Sequence, residues 1–194
     1  MLSIYGRKLR PHHEIEKIIS ATEGFEEKSL KKWQKISTVD NEFIHIIVSG
    51  EVEFRRESDE LCLFTLQGQC IFGLSSIFYH SSHMYGLVRS NTVVRSIPKS
   101  VFSQLMTEKG LWPELTKVLA WYICLLSKRD DVLVARSAYS VVREFLLEIN
   151  ELIVHHQRDI NVYDYIQEYT SLARSTIIKI LSDLKKGQYI VVEK

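Results

Sequence analysis

The stretch WPELTKVLAWYICLLSKRDDVLVAR, Trp112 to Arg136, runs 25 residues without a glycine. Its one proline, Pro113, stands near the start, where a helix tolerates it. Leu115, Leu119, Tyr122, Leu126, Arg129 and Leu133 recur at spacings of four and three. That is the pattern of a coiled-coil seam with a polar break at Arg129. Val118, Trp121, Leu125 and Val132 form a second apolar stripe beside it. A helix with two apolar stripes must be covered twice. Either it is buried entirely inside one chain, or one stripe packs on its own domain and the other on a twin helix. The rest of a 194-residue chain is small for engulfing so long a helix, which favours a homodimer. The expected dimer interface is Leu115, Leu119, Tyr122, Leu126 and Leu133.

The texture differs on either side of this helix. Before it, PHHEIEKIISATEGFEEKSLKKW spaces Ile15, Ile18 and Ile19 among charges and predicts short helices. From Ile36 to Ile97 short runs of β-branched and aromatic residues are separated by Ser49-Gly50, by RRESDE and by the corner residues Gly68 and Gly73. Val52 and Phe54 alternate with Glu51, Glu53 and Arg55, the period of a half-buried strand. Many short antiparallel strands with glycine corners predict a small barrel or sandwich. KSVFSQLMTEKG then reads as a short helix with Val101, Phe102, Leu105 and Met106 on one side. After the long helix, ARSAYS marks a boundary near 136–140, followed by the amphipathic VVREFLLEINELIVHHQ and the short helix VYDYIQEY. The fold class is α+β, with expected divisions at 1–110, 111–136 and 137–194.

The C-terminal segment LARSTIIKILSDLKKGQYI carries the functional signal. At about 100° per residue, Ile177, Ile180, Leu181 and Leu184 fall in one narrow arc. Opposite lie Ser175, Lys179, Ser182 and Lys186, with Arg174 in the first turn and Gly187 as the stop. A basic, hydroxyl-bearing stripe suits entry into a DNA major groove, where Arg and Lys meet guanine acceptors or phosphates. A solvated surface face is the plainer reading of the same pattern. The preceding helix VYDYIQEY, the turn TSLA and the strand-like QYIVVEK supply helix-turn-helix spacing and the start of a wing.

These residues, YIQEYTSLARSTIIKILSDLKKGQYI, resemble the helix-turn-helix of the CRP/FNR superfamily, with Arg174, Thr176, Lys179, Leu181, Leu184, Gly187 and Ile190 at the matching places. FIHIIVSGEVEF, LQGQCIFG and the long helix resemble that superfamily's β-roll and dimerisation helix. Within it the chain is most similar to the enterobacterial IprA (YaiV) regulators, associated with peroxide resistance. The resemblance implies a cyclic-nucleotide-binding-like β-roll (a jelly roll), a dimerisation helix and a C-terminal winged helix-turn-helix. It also implies a homodimer that binds double-stranded DNA, with RNA polymerase as a further partner. The expected DNA-binding residues are Arg174, Ser175, Thr176, Lys179 and Lys186.

Departures narrow that implication. Leu74 stands where cyclic-nucleotide members carry a glutamate, and Met84 and Tyr85 where they carry an arginine pair. A cyclic phosphate set against Leu and Met has no charged partner, so cyclic AMP is not expected. The roll is either filled by its own side chains or holds an apolar effector such as a fatty acid, lined by Leu74, Ile77, Phe78, Met84 and Leu87. From Ser137 to Lys194 there are seven Lys or Arg against eight Asp or Glu, so basic charge is local to the recognition helix. With a formal net charge of +1, this leaves room for a protein-interaction module on the same fold. Ile178 stands beside the polar stripe where a small residue is usual, either to meet a thymine methyl or to hinder close approach. Ala173 replaces the usual N-cap serine, at a cost of about 1 kcal/mol. A wing lacks its return strand before Lys194.

Other chemistry is weakly marked. Three scattered cysteines, Cys62, Cys70 and Cys124, form no C-x-x-C and read as reduced thiols in a cytoplasm, with a redox role as the sharper alternative. His80 and His83, His12 and His13, and His155 and His156 do not converge in sequence, so no metal is expected. No nucleophile elbow, P-loop or dinucleotide fingerprint points to an enzyme. The apolar runs are about half of the roughly 20 residues a membrane span needs, so no membrane partner is expected.

Overall fold

The computed structural model describes residue 6 and residues 8–37, 42–79, 83–134, 136–156 and 159–191. Along the chain come α1 (His12–Ala21), β1 (Glu27–Leu30), β2 (Lys35–Ile36), β3 (Phe43–Ser49), β4 (Glu51–Arg56), β5 (Cys62–Gln67) and β6 (Cys70–Phe72). A 3₁₀ turn (Leu74–Ile77), β7 (Met84–Val88), β8 (Thr92–Pro98), α2 (Lys99–Glu108), α3 (Trp112–Leu133), α4 (Ala138–His156), α5 (Val162–Tyr169) and α6 (Arg174–Lys186) follow. The strands form two four-stranded antiparallel sheets, ordered β1-β8-β3-β6 and β2-β7-β4-β5. They close over a core that includes Ile44, Ile46, Val52, Phe54, Ile71 and Val88.

The alternation on β4 holds toward the interior. Val52 pairs with Val88 and Phe54 with Gly86, all buried. On the opposite face Glu53 departs from expectation, because it is buried and not solvated. The corner between β3 and β4 requires glycine for two reasons: Gly50 sits at φ +116°, and a Cβ there would collide with Thr92. A second departure is β1. Residues 27–30 were expected in a helix but form an edge strand on β8. EKSL offers no apolar stripe for a helix to bury, and β8 offers an open ladder. Glu27 is fixed there by a 2.6 Å ion pair with Arg95, which also donates to the Ile19 carbonyl at the end of α1.

The long helix is laid against the roll by Leu115, Val118, Trp121 and Leu125, all buried in the roll's core. Ion pairs between Lys17 and Glu114 (3.0 Å) and between Lys117 and Glu14 (2.7 Å) tie α1 to its first turns. Tyr122 tightens the contact further. Its hydroxyl donates to the Ile71 carbonyl at 2.7 Å and accepts from the Ile71 N–H at 3.2 Å. Ile71 lies on β6, the edge strand of its sheet, so one phenol satisfies both outward backbone groups. The helix is not a unit of its own: Val132, near its end, belongs to a second core with Phe145, Ile149, Ile166, Tyr169, Ile177 and Leu181.

Cys62 and Cys70 are fully buried, and burial pushes both thiols up to about 12. Cys124 lies exposed on α3. His80 and the side chains of His155 and His156 lie outside the described residues. No described helix is long and apolar enough to cross a membrane.

Tyr122→Phe removes one oxygen and strands two edge groups, so it should cost about 1–3 kcal/mol of stability, read from urea unfolding of the wild type and the variant. An unchanged unfolding midpoint would contradict this role.

Candidate nucleic-acid interface

The C-terminal core is built around aromatic rings. Phe145 of α4 meets Tyr165 and Tyr169 of α5 at 6.3 and 6.0 Å, and the two tyrosines lie 4.7 Å apart. The start of α5 is fixed by a residue that periodicity does not reveal: the Asn161 side chain accepts from the N–H groups of Tyr163 and Asp164 at 3.1 and 3.2 Å. Its end is fixed by Thr170, whose hydroxyl donates to the Ile166 carbonyl at 2.7 Å. The turn 170–173 then delivers the chain into α6.

On α6 the two faces separate. Ile177, Leu181 and Leu184 are buried. Arg174, Ser175, Lys179, Ser182 and Lys186 are exposed, and Thr176 is half-buried. Ile178 is 45% exposed on the flank of the polar stripe. Ala173 gives the helix no side-chain cap, so first-turn N–H groups stay available to an incoming anion.

The stop differs from the expected glycine device. Gly187 has an ordinary φ of −75°, and the left-handed residue is Gln188 at φ 61°. Gln188 N–H donates to the Lys185 carbonyl and Tyr189 N–H to the Leu184 carbonyl, a Schellman closure. A Cβ at 187 would lie 2.6 Å from the ring of the exposed Tyr189, which would have to swing aside. The strand expected over QYIVVEK is not formed by Tyr189, Ile190 or Val191, and Val192, Glu193 and Lys194 lie outside the described residues.

The five residues expected to line an effector pocket do not converge. Leu74 is buried in the roll's core, with Ile77 and Met84 packed against it. Phe78 is 74% exposed and stacks on Trp112 at 6.0 Å. Leu87 pairs with the outward-facing Glu53, so the pleat turns it away from the interior. The roll's centre carries rings: Phe54 lies 4.7 Å from Phe64, 5.2 Å from Phe72 and 6.1 Å from Tyr122.

The expected seam on α3 also needs correction. Leu115 is buried in the roll's core, and Tyr122 is half-buried with its hydroxyl bonded to its own β6, so both turn toward the roll. The exposed line keeps Leu119, Leu126 (38% exposed) and Leu133 of that seam and adds Ile123 (63%). Leu119 and Leu133 are half-buried on its edges. Arg129, half-buried, stands between Leu126 and Leu133 as the polar break in this line. Of the five residues expected at the interface only Leu115 and Tyr122 turn to the roll; the buried stripe is the second one, Val118, Trp121, Leu125 and Val132.

Comparison with known proteins agrees with this geometry. Residues 138–194 match the family model described as winged helix-turn-helix DNA binding. The "Inhibitor of hydrogen peroxide resistance" of Escherichia coli K12 is 30% identical over 159 residues, covering 81% of this chain and 76% of that protein. The protein of the same description from Salmonella typhimurium is 26% identical over 155 residues, covering 79% and 74%. Among solved structures, a crp/fnr-family transcriptional regulator from Eubacterium rectale superposes with a TM-score of 0.70 at 17% identity, covering 92% of this chain and 86% of that one. The c-di-GMP responsive global regulator CLP of Xanthomonas campestris gives 0.69 at 12% identity, covering 92% and 96%. These structural likenesses show the fold, which is that of transcription regulators. The chain thus belongs to the family of the inhibitor of hydrogen peroxide resistance, built on the CRP/FNR architecture with a C-terminal DNA-binding helix-turn-helix.

Proposed function

We propose that the chain is a sequence-specific transcription regulator that acts as a homodimer, works without cyclic AMP and controls genes of peroxide resistance. The observation that carries this is α6, whose buried side anchors it on α4 and α5 while Arg174, Ser175 and Lys179 stand free on the other. Arg174, Ser175 and Lys179 would meet base edges; Thr176, Lys186 and the uncapped first turn would hold phosphates. The peroxide link is suggested by the description of the 30%-identical relative. A phosphate set beside Leu74 and Met84 would be desolvated against apolar core, which argues against a cyclic nucleotide. The ring cluster around Phe54 favours a roll filled by its own side chains over one holding a fatty acid. The exposed line through Ile123 and Leu126 supplies the second half of the helix's cover: a twin α3.

Two measurements test this reading. In a fluorescence titration with the DNA upstream of the protein's own gene, Arg174→Ala should weaken specific binding by about 1–3 kcal/mol. Absence of binding at low salt, or indifference to Arg174 and Lys179, would favour a protein-interaction module on this fold. In sedimentation velocity, Ile123→Glu should convert the dimer to monomer; a variant that stays dimeric would refute the exposed line as the interface.

A further inference from the structure

The DNA-binding half meets the roll where Cys62 of β5 enters the C-terminal core and at the last two residues of α5. Glu168 ion-pairs with Arg55 of β4 at 3.3 Å and with Arg89, just after β7, at 3.7 Å. The same two guanidiniums hold Glu53, at 2.7 and 3.0 Å. Beside this cluster the Tyr169 hydroxyl is hydrogen-bonded to Thr65 of β5, across 104 residues of sequence. Arg89 lies over the Trp33 ring, 4.3 Å from its centroid. Around the clasp the two halves are parted by a cleft of about 610 Å³, lined by Trp33, Glu51, Asp164 and Tyr165 among others.

The charge count explains why this contact is specific. Two guanidiniums face two carboxylates only when α5 is docked. With α5 removed, Arg55 and Arg89 lose the Glu168 carboxylate and keep that of Glu53. Glu53 is 3% exposed, and burial pushes its carboxyl above the ordinary range against the pull of Arg55 and Arg89. Burial likewise raises the Tyr169 hydroxyl far above its ordinary value, so it remains a neutral hydrogen-bonding group. The clasp also connects rigidly to the reader. Thr170, the next residue, is locked to the Ile166 carbonyl, and Arg174 opens α6 four residues later.

We infer that Glu168 and Tyr169 are positioning residues. They fasten the helix-turn-helix to β4, β5 and β7, so that the roll sets the angle at which α6 is presented. Neither touches the face that would meet DNA; they act through the orientation of Arg174, Ser175 and Lys179. A palindrome reader needs its two recognition helices at a fixed spacing, and a loosely tethered reader loses affinity to the entropy of orienting it.

The test uses the full chain without DNA, so its outcome is independent of whether the protein binds DNA. In a Cys124→Ser background, spin labels are placed at Lys28→Cys on β1 and Lys185→Cys on α6, diluted with unlabelled chain so that distances within one chain dominate. The unaltered clasp should give one narrow distance by double electron–electron resonance. Glu168→Gln combined with Tyr169→Phe conserves size and keeps the Phe145–Ile166 core, and it should broaden and shift that distance. Circular dichroism checks that α4, α5 and α6 stay folded. If the double variant unfolds, the single Glu168→Gln and Thr65→Val variants carry the same expectation. A narrow, unshifted distance in folded variants overturns the inference.

Discussion

The architecture depends on how α3 is covered. Leu115, Val118, Trp121 and Leu125 are buried in the roll, and each fully buried side chain of this size contributes about 1.5–3 kcal/mol. The Tyr122 phenol then serves as a missing strand for β6, satisfying both outward groups of Ile71. With that side fixed, the rest is constrained. Ile123 and Leu126 are left outward, while Val132 reaches the second core. One helix therefore joins the roll, the exposed apolar line and the reader.

The reader is assembled in the same economical way. Asn161 starts α5, Thr170 ends it, and the ring cluster of Phe145, Tyr165 and Tyr169 sets the angle of α5 on α4. Helix α6 contributes three apolar side chains to that core and keeps its opposite side free. The left-handed Gln188 and the bonds from Gln188 and Tyr189 N–H to the Lys185 and Leu184 carbonyls end α6.

Much of this was legible from local pattern. The long helix, the alternation of Val52 and Phe54, the turn 170–173 and the polar stripe of α6 are periodic features, and periodicity is carried by the sequence itself. What was not legible depends on partners far away in the chain. The seam's spacing does not say that Tyr122 leaves it for the roll, since that depends on a hydrogen bond to Ile71, far off in the chain. Nothing in EKSL announces an edge strand, which forms because β8 has a free side. Glu53 reads as a solvent-facing strand residue, yet it is buried because Arg55, Arg89 and Glu168 converge on it. The expected pocket residues are divided for a simpler reason: Leu74, Ile77 and Met84 stay at the core, Leu87 lies on the outward side of the pleat, and Phe78 stacks on Trp112.

The central claim is that two copies of this chain, joined along Ile123 and Leu126, present two copies of α6 to one DNA duplex. The most direct measurement is selection of bound duplexes from a randomised pool. The account predicts enrichment of an inverted repeat whose arms are centred about 10 base pairs apart, or a multiple of that. It also predicts loss of that enrichment when Arg174 and Lys179 are both replaced by alanine. A pool that stays random, or one enriched in the same sequence with and without those two side chains, would contradict it.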